Sequence, residues 1–343
     1  MFKEYNLNKP SKNGNNSGNA FCSEGICRIS EVTSETKNIS LNDLRDNIEN
    51  EFNYHNFPRG LSLVDVKNKK IIKDIETILE STYLKNFFEF LENETQCGPI
   101  SLLPLQENIM RNYFSGPQYG KHGWHRDASK EYQYAYCKKI MNTKKYIYGK
   151  ISIALQPNSE KGGNIDIIPQ SFSPNDKWPK RVRVMQFLSD SILKYKYGRT
   201  INPFKRSDWL IDSFYGILKP RKVSPKPLEI ISFDHRIEHR GSPQTPKSWS
   251  NLKQKFPDIK IEKQRLIPVN KSLEKYNKYI IYFHFGCAIG LSSSFYARTR
   301  LEGWQKEKSI LMNQLNNLNI FQKIFPNSRT IFSNALKMID EEN

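Results

Sequence analysis

Trp124-His125-Arg126-Asp127 sets an imidazole and a carboxylate two residues apart. On an extended segment, residues i and i+2 point to the same side. His125 and Asp127 can therefore offer one nitrogen and one carboxylate oxygen to a single ion. A third ligand from a distant strand would complete a face of two histidines and one carboxylate. Such a face leaves positions on the ion open and is the arrangement of non-haem Fe(II) oxygenases. The remaining histidines are His55, His122, His235, His239 and His284. His235 and His239 stand at i and i+4, which on a helix would suit zinc. The run before them, residues 228–233, is strand-like, and no HExxH pattern is present. His122 reads as a loop or supporting residue, and His284 as a packed core histidine on the last strand. His55 has no neighbours that support a role.

The elements that must position these groups change character along the chain. Residues 1–39 read as a flexible leader, because the Asn-, Ser- and Gly-rich run from Asn8 to Asn19 offers little to bury. Ser40 with Asp43 three positions on marks a helix start, with Leu44 and Ile48 on one face. Ile72, Ile75, Leu79, Tyr83, Phe87 and Phe90 recur at steps of three or four and predict one core-facing helix over residues 70–92. Beyond residue 100 the period shifts to two. Residues 110–114, 146–155, 164–168, 228–233 and 278–285 read as strands separated by Gly/Pro turns. Strands after N-terminal helices predict a β-sandwich or barrel with helices packed on it. Residues 302–341 read as one or two helices broken at Pro326. The segment 173–227 carries 13 Lys/Arg against 4 Asp/Glu, with Trp178, Tyr195, Tyr197, Phe204 and Trp209 among them. A basic, aromatic insertion of this kind can act as a lid over an anionic substrate.

The order of the motifs carries a resemblance. The HxD is followed by a strand ending at Leu155-Gln156-Pro157-Asn158, then by Gly162-Gly163-Asn164 and a strand ending in Pro169-Gln170-Ser171-Phe172. Asp234-His235-Arg236-Ile237-Glu238-His239-Arg240-Gly241-Ser242 follows about sixty residues on, and a last strand begins at Lys278. This resembles the phytanoyl-CoA dioxygenase-like family of Fe(II)/2-oxoglutarate-dependent oxygenases over residues 105–290. In that family a GG or NG turn leads into a strand ending in P-G-S-H, and the distal histidine sits in a D-x-x-x-x-H-x-G-S context. The resemblance implies a mainly β chain with flanking helices on a double-stranded β-helix, a cupin-like jelly roll. It implies a single domain over residues 40–301, with residues 302–343 packing on it as a helical segment. It implies His125, Asp127 and His239 as the iron ligands, with His235 the rival for the third place, and Fe(II), 2-oxoglutarate and O2 as cofactor and co-substrates. The reaction class implied is hydroxylation, or desaturation or cyclisation, coupled to oxidative decarboxylation of 2-oxoglutarate to succinate and CO2. Asp127 favours this class over halogenation, in which a small residue replaces the carboxylate.

The co-substrate anchor departs from the family pattern. The family places an arginine roughly ten residues after the distal histidine, and its forked guanidinium matches a carboxylate. Here the corresponding strand begins at Lys278, 39 residues after His239. A lysine supplies a point charge without the fork. Either Lys278 is the anchor or an arginine arrives from elsewhere, with Arg265, Arg298 and Arg300 the candidates. Ser242 or Thr245 could add a hydroxyl. Lys150, Ser152 and Ala154 share one strand face with Tyr148, so Lys150 and Tyr148 are further candidates for the 2-oxoglutarate site. Trp124, Arg126 and Arg240, beside the ligands, are candidate substrate contacts.

Composition bounds the alternatives. The 343-residue chain has net charge +18, 37% hydrophobic and 12% aromatic residues, so it can bury a sizeable core and favours an anionic partner. A basic nucleic-acid-binding protein is a second reading, without an RNP, KH, zinc-finger or helix-turn-helix pattern behind it. A jelly-roll metal-binding module without oxygenase activity is a third. No stretch reaches the roughly 18–20 apolar residues of a membrane span, and the first residues do not read as a signal peptide. Five scattered cysteines with no CxxC fit reduced thiols in a cytoplasmic protein. The expected partner is a small molecule rather than a membrane or nucleic acid.

Overall fold

The structure, a computed structural model, describes residues 3–32, 36–55, 60–96, 98–103, 108–112, 147–155, 164–169, 220–241, 260–262, 265–267 and 278–287. In chain order the elements are β1 (Lys3–Glu4), α1 (Asn15–Glu24), β2 (Ile26–Ser30), α2 (Leu41–His55), β3 (Gly60–Leu61), α3 (Lys69–Leu79), α4 (Thr82–Thr95), β4 (Ile100–Leu103) and β5 (Ile109–Asn112). They continue with β6 (Tyr148–Ala154), β7 (Ile165–Ile168), β8 (Arg221–Val223), β9 (Ile230–Asp234), β10 (Glu238–Gly241), β11 (Lys260–Glu262), β12 (Arg265–Ile267) and β13 (Lys278–Cys287). The expected helical segment 302–343 and residues 173–219 of the basic insertion lie outside the described residues.

Alternation along the strands builds two faces. One sheet runs β2-β9-β6-β13-β5-β3 with β4 also on β13, and a second runs β1-β8-β7-β10. Their pairings are antiparallel apart from β1 with β8. On the outer face of the larger sheet, Ile151, Ile153, Ile230, Ile281, Phe283 and Phe285 pack against Phe21, Leu44, Ile48, Phe52, Ile75 and Phe87 from the helices. On the inner face, Ile26, Ile231 and Phe233 meet Ile165, Ile167 and Val223 of the smaller sheet, with Ile237 between them. The described residues are thus sheet-rich, with flanking helices. No helix of the described residues is long and apolar enough to cross a membrane.

Helix α2 starts as its sequence predicts, with Ser40 Oγ accepting from the Asp43 N–H at 3.3 Å. The single helix expected over residues 70–92 is two. Glu80 ends α3, and Ser81, extended at φ −59° and ψ 126°, starts α4. The apolar period runs through the break: Ile71, Ile75 and Ile78 are buried on one side of it, Leu84, Phe87 and Leu91 on the other.

Of the flexible leader expected over residues 1–39, the described residues 3–32 and 36–39 are instead built into the fold. Its polar residues satisfy backbone groups far along the chain. Asn8 Oδ1 accepts from the Arg28 N–H at 2.7 Å, Asn8 Nδ2 donates to the Arg28 carbonyl at 3.0 Å, and Ser17 Oγ donates to the same carbonyl at 2.7 Å. Its glycines allow close packing. Gly14 has φ +75°, and a Cβ there would lie 2.3 Å from the Asn86 carbonyl oxygen of α4. A Cβ on Gly18 would lie 1.9 Å from the Phe90 ring. This brings Phe21 onto Phe87 and Phe285, with ring centroids 5.7 Å away in each case. Gly18→Ala is expected to lower unfolding free energy by about 1–3 kcal/mol, as overpacking does. The check is a shift in the urea midpoint at constant m-value; an unchanged midpoint would detach α1 from the core.

The end of the segment 173–227 also differs from a surface insertion. Arg221, Lys222 and Val223 form β8, which pairs with β7 through Val223 opposite Ile165. Val223 is fully buried between the sheets, while the two basic residues are half-buried.

Candidate functional site

The inner face of the larger sheet is assembled by register. On β6, Lys150 stands opposite Phe233 of β9 and His284 of β13, and Ser152 stands opposite Ile231 and Tyr282. Tyr148 is one step along, where the His235 N–H donates to its carbonyl at 3.2 Å. Residues i and i+2 share a strand face. Tyr148, Lys150, Phe233, His235, Tyr282 and His284 therefore line one surface.

Across from it, β10 pairs with β7 and sets His239 opposite Ile167. His239 is buried, and its ring centroid lies 4.8 Å from that of Phe233. Its Nδ1 is 3.1 Å from the Ile237 carbonyl oxygen. A carbonyl can only accept, so Nδ1 carries the proton, and the basic nitrogen of the neutral ring is Nε2. Metal-binding histidines almost always donate their second ring N–H in this manner, which fixes tautomer and ring orientation. The donor chemistry of His239 thus fits an imidazole ligand. His125 and Asp127 lie outside the described residues. Among the described residues, no three His, Cys, Asp or Glu side chains are grouped to hold a metal.

Lys150 is half-buried, and its Nζ lies 4.4 Å from the Tyr282 ring centroid and 5.9 Å from that of Phe233. The Phe233 ring thus neighbours both Lys150 and His239. A cation against aromatic faces is held by the ring quadrupole at little desolvation cost. Lys278 is the first residue of β13, in register with Asn112, and Arg265 begins β12. Ser242, Thr245, Arg298, Arg300, Trp124, Arg126 and His122 lie outside the described residues.

Arg240 and His284 make buried contacts of their own here. Arg240, expected to touch substrate, is 1% exposed and donates from Nε to Asp166 Oδ2 at 2.9 Å. The two are direct cross-strand neighbours on β10 and β7, so this guanidinium ties the strand of His239 to its partner. His284 is buried on β13, as expected of a packed core histidine, and it is bonded there: its Nδ1 is 2.9 Å from His235 Nε2 and 3.4 Å from Tyr148 Oη. His235, the rival third ligand, is fully buried in this contact, and its ring centroid is 4.1 Å from that of Tyr148. Nothing in the sequence marks the trio as a group, since His235 and His284 are 49 residues apart.

No family model and no curated protein matches the chain. Several solved structures are similar to it. AviO1 from Streptomyces viridochromogenes Tue57 is 10% identical with a TM-score of 0.41, covering 80% of this chain and 95% of its own. SnoK, described as a non-heme alpha ketoglutarate dependent carbocyclase from nogalamycin biosynthesis, is 12% identical with a TM-score of 0.40, covering 84% of this chain and 93% of its own. EvdMO1 is 10% identical with a TM-score of 0.39, covering 80% of this chain and 50% of its own.

Proposed function

We propose that the chain is a non-haem Fe(II)/2-oxoglutarate-dependent dioxygenase that hydroxylates, desaturates or cyclises a small anionic metabolite. The observation that carries this is His239, buried on an inner strand, with Nδ1 donating to the Ile237 carbonyl, the tautomer in which Nε2 is the basic nitrogen. The HxD of His125 and Asp127 supplies the other two ligand types the reading needs. The strand order supports a jelly roll: β6 and β9 lie in one sheet, β7, β8 and β10 in the other, and β13 returns to the first. In this reading His239, His125 and Asp127 would hold iron, which when bound supplies O2 activation coupled to oxidative decarboxylation of 2-oxoglutarate.

The chain's own residues do the rest. Lys150 offers a positive charge to the far carboxylate of 2-oxoglutarate, and its aromatic walls strengthen that attraction by lowering the local dielectric. Phe233 packs on the His239 ring and excludes water from the space beside Lys150. Lys150→Ala is expected to raise the KM for 2-oxoglutarate by roughly tenfold to a hundredfold, the worth of one to two lost charge-assisted contacts. The kcat changes less, because the contact is present in ground and transition states alike. An unchanged KM would move the role to Lys278 or an arginine.

The deciding experiment is anaerobic titration of the Fe(II)-loaded protein with 2-oxoglutarate. A weak visible charge-transfer band that appears and saturates is the expected result. Iron binding without the band would favour a metal-binding module without oxygenase activity. Steeply salt-dependent oligonucleotide binding in its place would favour the nucleic-acid reading.

A further inference from the structure

We infer that His235 and His284 share one proton and form a clasp across β9, β6 and β13 that positions Lys150. The two rings come from the turn just after β9 and from β13, are 0% and 4% exposed, and face each other nitrogen to nitrogen at 2.9 Å. Two imidazole nitrogens reach that distance only when one of them carries a hydrogen and the other a lone pair. Two protonated nitrogens would set donor against donor, and two bare ones lone pair against lone pair. Tyr148 Oη lies 3.4 Å from the same His284 Nδ1. A single hydrogen on His284 Nδ1 accounts for both contacts, with its main bond to His235 Nε2 and a longer branch to the phenol oxygen.

The clasp joins three strands at one level of the inner face. His284 is the direct cross-strand neighbour of Lys150, and Phe233, two residues before His235, is its neighbour on the other side. The clasp therefore fixes the two strands that flank Lys150 at the row where its ammonium lies against Tyr282 and Phe233. His235 and His284 are positioning residues in this account; they act through Lys150. The consequence for co-substrate binding rests on the oxygenase reading above, and the clasp itself does not.

Side-chain nitrogen NMR tests the clasp without turnover. A two-bond nitrogen–nitrogen coupling between His235 and His284 is expected, and its absence in the folded protein would overturn the shared proton. The Lys150 ε-methylene should show an upfield ring-current shift from Tyr282. His284→Ala should abolish that shift, and His284→Gln, which keeps a donor and an acceptor on a similar stem, should restore most of it. A shift unmoved in His284→Ala would overturn the positioning role. In turnover, His284→Ala should raise the 2-oxoglutarate KM on the order of tenfold, the worth of one hydrogen bond to a charged group's surroundings, with kcat changed less and His284→Gln close to the parent. If both NMR signatures are present and no 2-oxoglutarate turnover occurs, the clasp stands and the oxygenase reading falls.

Discussion

His239→Ala is expected to abolish turnover and to weaken Fe(II) binding, while the chain remains folded. The proposed site has three ligands, and His239 is the one on a described strand, β10, which pairs with β7 over four residues. Losing an outer partner of a metal ligand costs roughly 10–100-fold in affinity or activity. Losing the ligand itself removes the bond that the outer partner only orients, so the loss should exceed that range. The cost to folding is smaller. An alanine leaves β10 paired and Arg240 bonded to Asp166, and removes one ring packed on Phe233. His235→Ala is the matched control. His235 is held by His284 and Tyr148, so its loss should leave Fe(II) affinity close to that of the parent. The measurement is Fe(II) affinity and single-turnover succinate formation in both variants, with thermal melts as the check on folding. Intact turnover in His239→Ala, or iron lost from His235→Ala alone, would transfer the third ligand to His235.

The parts legible in the sequence are those whose causes are local. The i, i+2 alternation around Lys150 separates Ile151 and Ile153, which pack on the helices, from Tyr148, Lys150 and Ser152 on the inner face. Ser40 announces α2 because its cap bond spans three residues. The break between α3 and α4 was hidden because the apolar period continues through Ser81. The N-terminal segment departs from its sequence expectation for a different reason. Asn8 and Ser17 look like solvated residues until Arg28, 20 and 11 positions on, supplies the backbone groups they bond. The glycines near them look like linker until α4 arrives against Gly14 and Gly18. At the proposed site, His239 is singled out by the motif order that carries the family resemblance, with His235 as its rival. Its hydrogen bond to Ile237 is local, two residues back and just before β10. The tie of Arg240 to Asp166 spans 74 residues, and that of His284 to His235 spans 49, so both depend on sheet register that no local pattern encodes.

That register makes the Asp166–Arg240 pair a costly polar contact to break. Both side chains are almost wholly buried, at 4% and 2% exposure, and Nε meets Oδ2 at 2.9 Å. Asp166→Ala would leave a guanidinium, whose charge cannot be discharged at ordinary pH, with its carboxylate partner gone. Breaking one side of a buried ion pair typically costs 3–5 kcal/mol, which is a large part of the ~5–15 kcal/mol that holds most domains folded. Replacing both partners removes the stranded charge. Asp166→Leu with Arg240→Met, apolar residues of comparable length, should recover most of the loss, since well-packed apolar replacements of such pairs are often neutral or better. A urea double-mutant cycle measures the coupling directly, and m-values must stay constant for the comparison to hold. A coupling below about 0.5 kcal/mol would mean that neighbours other than Asp166 hold Arg240. The same cycle reports on function, because Arg240 adjoins His239 on β10. If the pair only stabilises, the double variant should bind Fe(II) as the parent does once it is folded. If it also sets the angle at which β10 presents His239, Fe(II) affinity should fall in the double variant even where stability has returned.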